Sequence, residues 1–187
     1  MSGVLFTALT LVLALVIALA TRGDLGRIAD LPFRRLWLLG VGVAIQAGLE
    51  FVHVGAGRDP YIPAAVLLTS YACILGFCAS NLRITGMGVV LIGIALNATV
   101  IALNLGMPYR APAGHDTAAT VKHRPERSDD VLTIIADRIV LPPLRTSISF
   151  GDLIIAVGLI DLCYRGSRRP TDGGRQARSS AASTLTS

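Results

Sequence analysis

Apolar residues in this chain form long unbroken runs, without the three-to-four-residue spacing of a half-buried helix or the alternation of a half-buried strand. Five runs stand out, at about 3 to 20, 36 to 54, 62 to 80, 86 to 107 and 146 to 164. A hydrocarbon layer about 30 Å thick takes roughly 20 residues of helix to cross, so each run predicts a membrane span. The expected fold is all-α: an integral membrane bundle of five transmembrane helices over residues 1–165, followed by a tail at 166–187. That tail is rich in Ser, Gly and Arg and poor in apolar surface, so it is expected to be disordered and cytoplasmic. Between the last two runs lies a longer loop, about 108 to 145, containing "SDDVLTIIADRIVLPPL". Ser128 and two acids open this stretch, apolar residues follow at 131, 134, 135 and 139, and Pro142-Pro143 end it, the pattern of a short amphipathic helix in an outer loop.

Composition agrees with a membrane protein, since 52% of residues are hydrophobic and 16% charged. Charge then orients the chain. Arg22, Arg27, Arg34 and Arg35 follow the first run, Arg83 follows the third, and Arg165, Arg168, Arg169, Arg175 and Arg178 follow the fifth, whereas the loop after the second holds only Arg58. The positive-inside rule therefore sets the amino terminus outside and the carboxyl terminus in the cytoplasm of a bacterial plasma membrane. The fourth loop has six Lys or Arg, balanced by Asp116, Glu126, Asp129, Asp130 and Asp137, and is expected outside. Ala18-Leu19-Ala20 resembles a signal cleavage site, but "MSGVLF" has no basic residue, and a retained span is expected. The net charge of +5 is accounted for by topology and attraction to anionic headgroups, so no nucleic-acid partner is expected.

Within the runs, small residues recur every four positions, as helices approaching closely in lipid require. Gly40, Ala44 and Gly48 form one such stripe; Ala72, Gly76 and Ser80 form a second; Ala98, Ala102 and Gly106 form a third. Spans two, three and four are thus expected at the centre, with span one turned to lipid. Cys73, Cys78 and Cys163 lack C-x-x-C spacing and read as packing residues.

Polar residues inside the runs are the candidate site. Glu50 and His53 lie on one face of span two with Gln46, Asn97 and Asn104 lie on one face of span four, and Asp152 opens span five. By depth alone these could meet in an outward-facing pocket. A carboxylate beside an imidazole can bind a cation or pass a proton. The competing reading makes the asparagines interhelical hydrogen-bonding residues and Asp152 a helix cap. His115 and His123 in the fourth loop are eight residues apart and form only a loose metal signal. No cofactor is indicated. The phosphate-binding G-x-x-x-x-G-K-[ST], the zinc motif H-E-x-x-H and the nucleophile elbow G-x-S-x-G are all absent.

The stretches "NLRITGM" (81–87), "GIALNATVIALNLGMP" (93–108), the histidine-containing loop, "LTIIADRIVLPP" (132–143) and "SISFGDLIIAVG" (147–158) together resemble a family of small bacterial polytopic membrane proteins known only as a domain of unknown function. The resemblance marks Asn81, Arg83, Asn97, Asn104, Met107, Pro108, Asp137, Ser149 and Asp152 as positions matching the family pattern. Members often carry a second glycine where this chain has Leu105. The resemblance implies a plasma-membrane location and no chemistry. The expected role is non-enzymatic: an accessory, scaffold or assembly component whose partners are the lipid bilayer and another membrane protein or further copies of itself. The alternative is a small oligomeric transporter or channel using Glu50, His53, Asn97, Asn104 and Asp152. A lipid-directed enzyme using His115 or His123 is a third.

Overall fold

A computed structural model describes residues 2–50, 61–105, 107–109, 123–125, 139–141 and 146–168. The chain is built from helices: α1 (Ser2–Ala20), α2 (Leu25–Ala29), α3 (Leu36–Glu50), α4 (Tyr61–Ser80), α5 (Met87–Asn104) and α6 (Phe150–Gly166). Among the described residues, four three-residue strands lie between the last two: β1 (Met107–Tyr109), β2 (His123–Pro125), β3 (Ile139–Leu141) and β4 (Thr146–Ile148). β1 pairs with β2 in parallel, and β3 pairs with β4 antiparallel.

Each long apolar run becomes a helix, with shifted ends. The fourth stops at Asn104 because Leu105 turns into the left-handed region at φ 53° and closes the helix by donating its N–H to Ile101 O. The fifth begins four residues late, at Phe150, because Thr146–Ile148 is paired as strand with Ile139–Leu141. The same pairing corrects the expected outer-loop helix: its end, at 139–141, is strand, and its remainder from 128 to 138 lies outside the described residues. Only α4 and α5 are, among the described residues, long and apolar enough to cross a membrane by length and composition, and Thr7–Ala20 and Leu36–Leu49 are shorter apolar stretches. α2 is an unforeseen turn of helix, started by Asp24, whose side chain accepts from Gly26 N at 2.9 Å.

Neighbouring helices pack in the order α3, α4, α5, α6, α1. The core runs along this series, from Leu67, Tyr71 and Phe77 on α4 through Val90, Ile94 and Ile101 on α5 to Leu162 on α6. Among its described side chains, from Thr7 onward, α1 buries a narrow line, Thr10, Ala14 and Ala18, and exposes Leu9, Val12, Leu13, Val16 and Leu19.

The closest approach is between α5 and α6, an interface the three small-residue stripes do not describe. Gly86 and Gly93 precede and line α5 seven residues apart, and Gly151 and Gly158 line α6 at the same spacing. They meet in antiparallel register. A methyl on Gly93 would lie 2.6 Å from Gly151 O and 2.9 Å from Ile155 N, and one on Gly158 would lie 2.7 Å from Val90 N and 3.0 Å from Gly86 O. Backbone therefore rests on backbone at two levels, about 10 Å apart along the helices. The expected α3 stripe faces the other way: Gly40, Ala44 and Gly48 are exposed, and Gly42 is the buried glycine, against Ile74 and Ser70 O. Ala72 and Ala102 are also exposed, so the second and third stripes are not the main contact lines either. A four-residue repeat of small residues locates where a helix can approach; it does not say which face the rest of the chain makes available.

At one end of the bundle the turns interlock. Asp24 N donates to Ser167 O at 3.0 Å, bringing the carboxyl ends of α1 and α6 together, so these two helices run parallel. Arg168 spans the join, donating to Thr21 O at 2.6 Å and Tyr164 O at 2.7 Å while its guanidinium lies 3.8 Å above the Tyr164 ring. A cation at two helix carboxyl ends is favourably placed against both dipoles. Beside it, Asn81 holds the preceding loop to the α4–α5 turn. Its amide donates to Arg34 O and Phe77 O, each at 2.8 Å, and its oxygen accepts from Arg34 N at 2.7 Å.

Two stability measurements test this packing in detergent. Gly93→Ala and Gly151→Ala are expected to lower the unfolding midpoint, each by about 1–3 kcal/mol of overpacking. Gly40→Ala and Gly48→Ala meet nothing within 4 Å. They are expected to be neutral or to gain up to about 1 kcal/mol of helix propensity. Leu105→Gly is expected to raise the midpoint, because a branched side chain in the left-handed region costs about 1–2 kcal/mol relative to glycine; a lowered midpoint would show that packing of the Leu105 side chain outweighs that strain.

Candidate functional site

Asn97 and Asn104 of α5 and Asp152 of α6 lie toward the end of the bundle opposite the arginine-bearing turns. Phe150 begins α6, and its N-cap is Ser149, in extended conformation, with Asp152 in the third helical position. The two form a reciprocal capping box: Asp152 N donates to Ser149 Oγ at 3.0 Å, and Ser149 N donates to Asp152 Oδ2 at 3.1 Å. This corrects Asp152 as the cap itself, since Ser149 takes that position and Asp152 closes the box behind it.

Asn97 of α5 completes the arrangement. Its Nδ2 donates to Asp152 Oδ1 at 2.9 Å, and its Oδ1 accepts from Ser149 Oγ at 2.9 Å. Every side-chain oxygen and nitrogen of Asn97, Ser149 and Asp152 thus has a partner inside the trio. Ser149 is wholly buried and Asn97 is 4% exposed. Gly151 is what allows the approach, because a side chain there would overlap the Asn97 amide. The backbone contact at Gly93 and the amide contact at Asn97 lie one turn apart on α5 and act as one interface.

The other expected site residues fall elsewhere. Asn104 is buried and donates from Nδ2 to Val100 O at 2.9 Å, one turn back along its own helix; Asp152 takes its interhelical bond from Asn97. Glu50 ends α3, and its side chain lies outside the described residues, as do His53, His115 and Asp137. Met107 and Pro108 lie in β1, opposite His123 and Arg124 of β2 in backbone register. Asn81 and Arg83 sit at the far end of the bundle, in the α4–α5 turn, Asn81 buried and Arg83 exposed. No group of three or more His, Cys, Asp or Glu is placed to hold a metal among the described residues. Cys78 and Cys163 are buried and Cys73 is half-buried, all as free thiols.

Sequence reasoning overlooked Gly86, Gly93, Gly151 and Gly158. Their seven-residue spacing in two separate helices was visible, but only the antiparallel pairing shows that each glycine of one helix meets a glycine of the other.

Asn97→Ala is expected to destabilise the protein by about 1–3 kcal/mol, because it leaves a partly buried carboxylate short of a donor and a buried hydroxyl short of an acceptor. Unfolding of Asn97→Ala, Ser149→Ala and the double variant should show coupling, with the double costing less than the sum of the singles. Additive effects would show that the trio does not act as a unit.

No curated protein and no solved structure matches this chain. The model of a family of unknown function, DUF5317, matches residues 30–164. The match takes in α3, α4, α5 and all but the last two residues of α6, together with the Asn81 turn, the glycine pairs and the Asn97–Ser149–Asp152 trio, and the chain belongs to DUF5317.

Proposed function

We propose that this protein is a five-span integral membrane protein of the bacterial plasma membrane that serves as a non-enzymatic accessory, scaffold or assembly component of a membrane complex. α1, α3, α4, α5 and α6 are the five spans of this reading. α4 and α5 have the length and composition for it unaided. The flanking α1 and α3 present Leu9, Val12, Leu13, Trp37, Val41 and Val43 on the outside, a surface suited to lipid tails or to the side of another membrane helix. Arg22, Arg34, Arg35, Arg83, Arg165 and Arg168 lie in turns and helix ends gathered at one end of the bundle, which supports that end as cytoplasmic. The amino terminus is then outside.

The observation that carries the accessory role over transport is the closed Asn97–Ser149–Asp152 trio. A substrate path needs polar groups that can exchange partners with the cargo. Here the polar atoms of Asn97, Ser149 and Asp152 are engaged with one another, across an interface where backbones touch. Such a trio holds two helices in register. It gives the exterior of the bundle a fixed shape on which another membrane protein could assemble.

Purification of the tagged full chain in a mild detergent, with identification of co-purifying chains, tests the role. A stoichiometric membrane-protein partner is the expected result; a lone stable homo-oligomer, or proteoliposomes that show flux abolished by Asp152→Asn, would favour the channel reading. Reporter fusions at the two termini should place them on opposite sides of the membrane, and the same side for both would exclude five spans.

A further inference from the structure

Aromatic and aliphatic side chains divide the exposed surface of the bundle between its ends and its middle. Among the described side chains, the exposed Trp and Tyr residues are Trp37, Tyr61 and Tyr164. Each stands at a helix end: Trp37 is the second residue of α3, Tyr61 the first of α4 and Tyr164 the third from last of α6. The tyrosine placed within a helix, Tyr71, is buried. Between the ends the exposed large side chains are aliphatic, with Val41 and Val43 on α3, Val66 on α4, Ile92 on α5 and Val157 on α6. On α6 the sequence of ring, aliphatic and ring is complete on one face, because Phe150, Val157 and Tyr164 are all exposed and recur every seven residues.

The helix directions bring these rings to two levels. α3 starts, and α4 and α6 finish, at the arginine-bearing end, so Trp37 and Tyr164 share that end. α4 and α6 start at the other, which sets Tyr61 and Phe150 there. The 20 residues of α4 separate the two levels by about 30 Å, the thickness of the hydrocarbon layer of a bilayer. Thr69 of α4 and Thr99 of α5 are exposed between the levels, and both turn their hydroxyls back onto their own helices, donating to Ala65 O and Ala95 O at 2.8 Å. They present little polarity outward. A covering protein gives no reason for amphipathic rings to keep to two levels with aliphatic side chains between; a bilayer does.

We propose that Trp37 and Tyr164 are anchored in the headgroup layer of one leaflet and Tyr61 in that of the other, and that lipid acyl chains cover the aliphatic band of α3 to α6 between them. Indole and phenol join an apolar ring to one polar group, so they are best placed where the polar part of a phospholipid meets its acyl chains, and aliphatic side chains suit the layer between. The proposal rests on the membrane reading above and narrows it. With the band given to lipid, the ends of the bundle and α1 are left for a protein partner.

Trp37 is the single tryptophan of the chain, so its own fluorescence reports its depth. The full chain is reconstituted in phosphatidylcholine liposomes whose acyl chains carry bromine, a contact quencher, either close to the headgroup, midway or close to the chain end. Trp37 should lose most emission to the shallow bromines. In a Trp37→Phe background, Tyr61→Trp should do the same, whereas Val43→Trp, about 9 Å along α3 from position 37, and Val157→Trp should lose most to the deep ones. All four positions are exposed, so these replacements should leave the thermal midpoint near that of the parent. Strongest quenching of Trp37 by the deep bromines, or quenching by none, would overturn the headgroup anchors. If Val43→Trp and Val157→Trp lose emission to no bromine, protein covers the band and the lipid assignment falls. A chain that does not float with the liposomes defeats the membrane reading and this proposal with it, whereas a chain that floats with the wrong depth profile defeats the proposal alone.

Discussion

The α5–α6 contact is the constraint from which the rest of the structure follows. At the Gly86–Gly158 and Gly93–Gly151 levels there is no side chain between the two backbones, and the distances leave no room for one. In lipid this matters more than in water, because apolar side chains gain nothing by leaving an apolar solvent, and helix association relies on close packing and hydrogen bonds. Two levels of contact fix the inclination of the helices, where one would leave a pivot. The Asn97 amide then fixes their relative height by reaching the cap of α6.

One consequence is that polarity and packing are the same device here. Ser149 and Asp152 would cap α6 in any surroundings, but the cap is bound to α5 as well, so the helix start and the helix–helix interface stand or fall together. Placing the trio in a buried setting raises the cost of breaking any one bond, since the remaining members lose partners without gaining water. The arrangement is therefore suited to rigidity and poorly suited to admitting a passing ion.

The opposite end is organised on another principle. Its turns are held by backbone carbonyls and amides read by a few side chains: Asn81 on Arg34, Arg168 on Thr21 and Tyr164. Each uses charge or amide groups to satisfy helix ends that would otherwise need water. The same bonds bring arginines from separated loops to one end of the bundle. Charge that the sequence distributes over a hundred residues becomes local only because the helices alternate in direction.

The helical nature of the chain and the approximate extent of each long helix were legible in the sequence, because long apolar runs with at most two charged residues each have few other solutions. Asn97, Ser149 and Asp152 were each singled out in the sequence, but neither the bonds among them nor the identity of the cap was legible, since a capping box is settled by which residue stays extended and its partner by the register of a helix more than fifty residues away. Leu105 shows the same limit: its place at the end of a run was visible, whereas its left-handed backbone depends on where the chain must turn next. The small-residue stripes misled for a physical reason. Spacing identifies a smooth face, and Gly40, Ala44 and Gly48 do form one, but the face that packs is chosen by the neighbours, and α4 lies against Gly42 instead. By itself, then, the sequence determined local conformation and the polarity of each segment, which short-range sterics and apolar runs decide. Only the tertiary structure decided which glycines touch, which polar groups satisfy one another and which arginines gather at one end, because those depend on the direction and register of helices far apart in the chain.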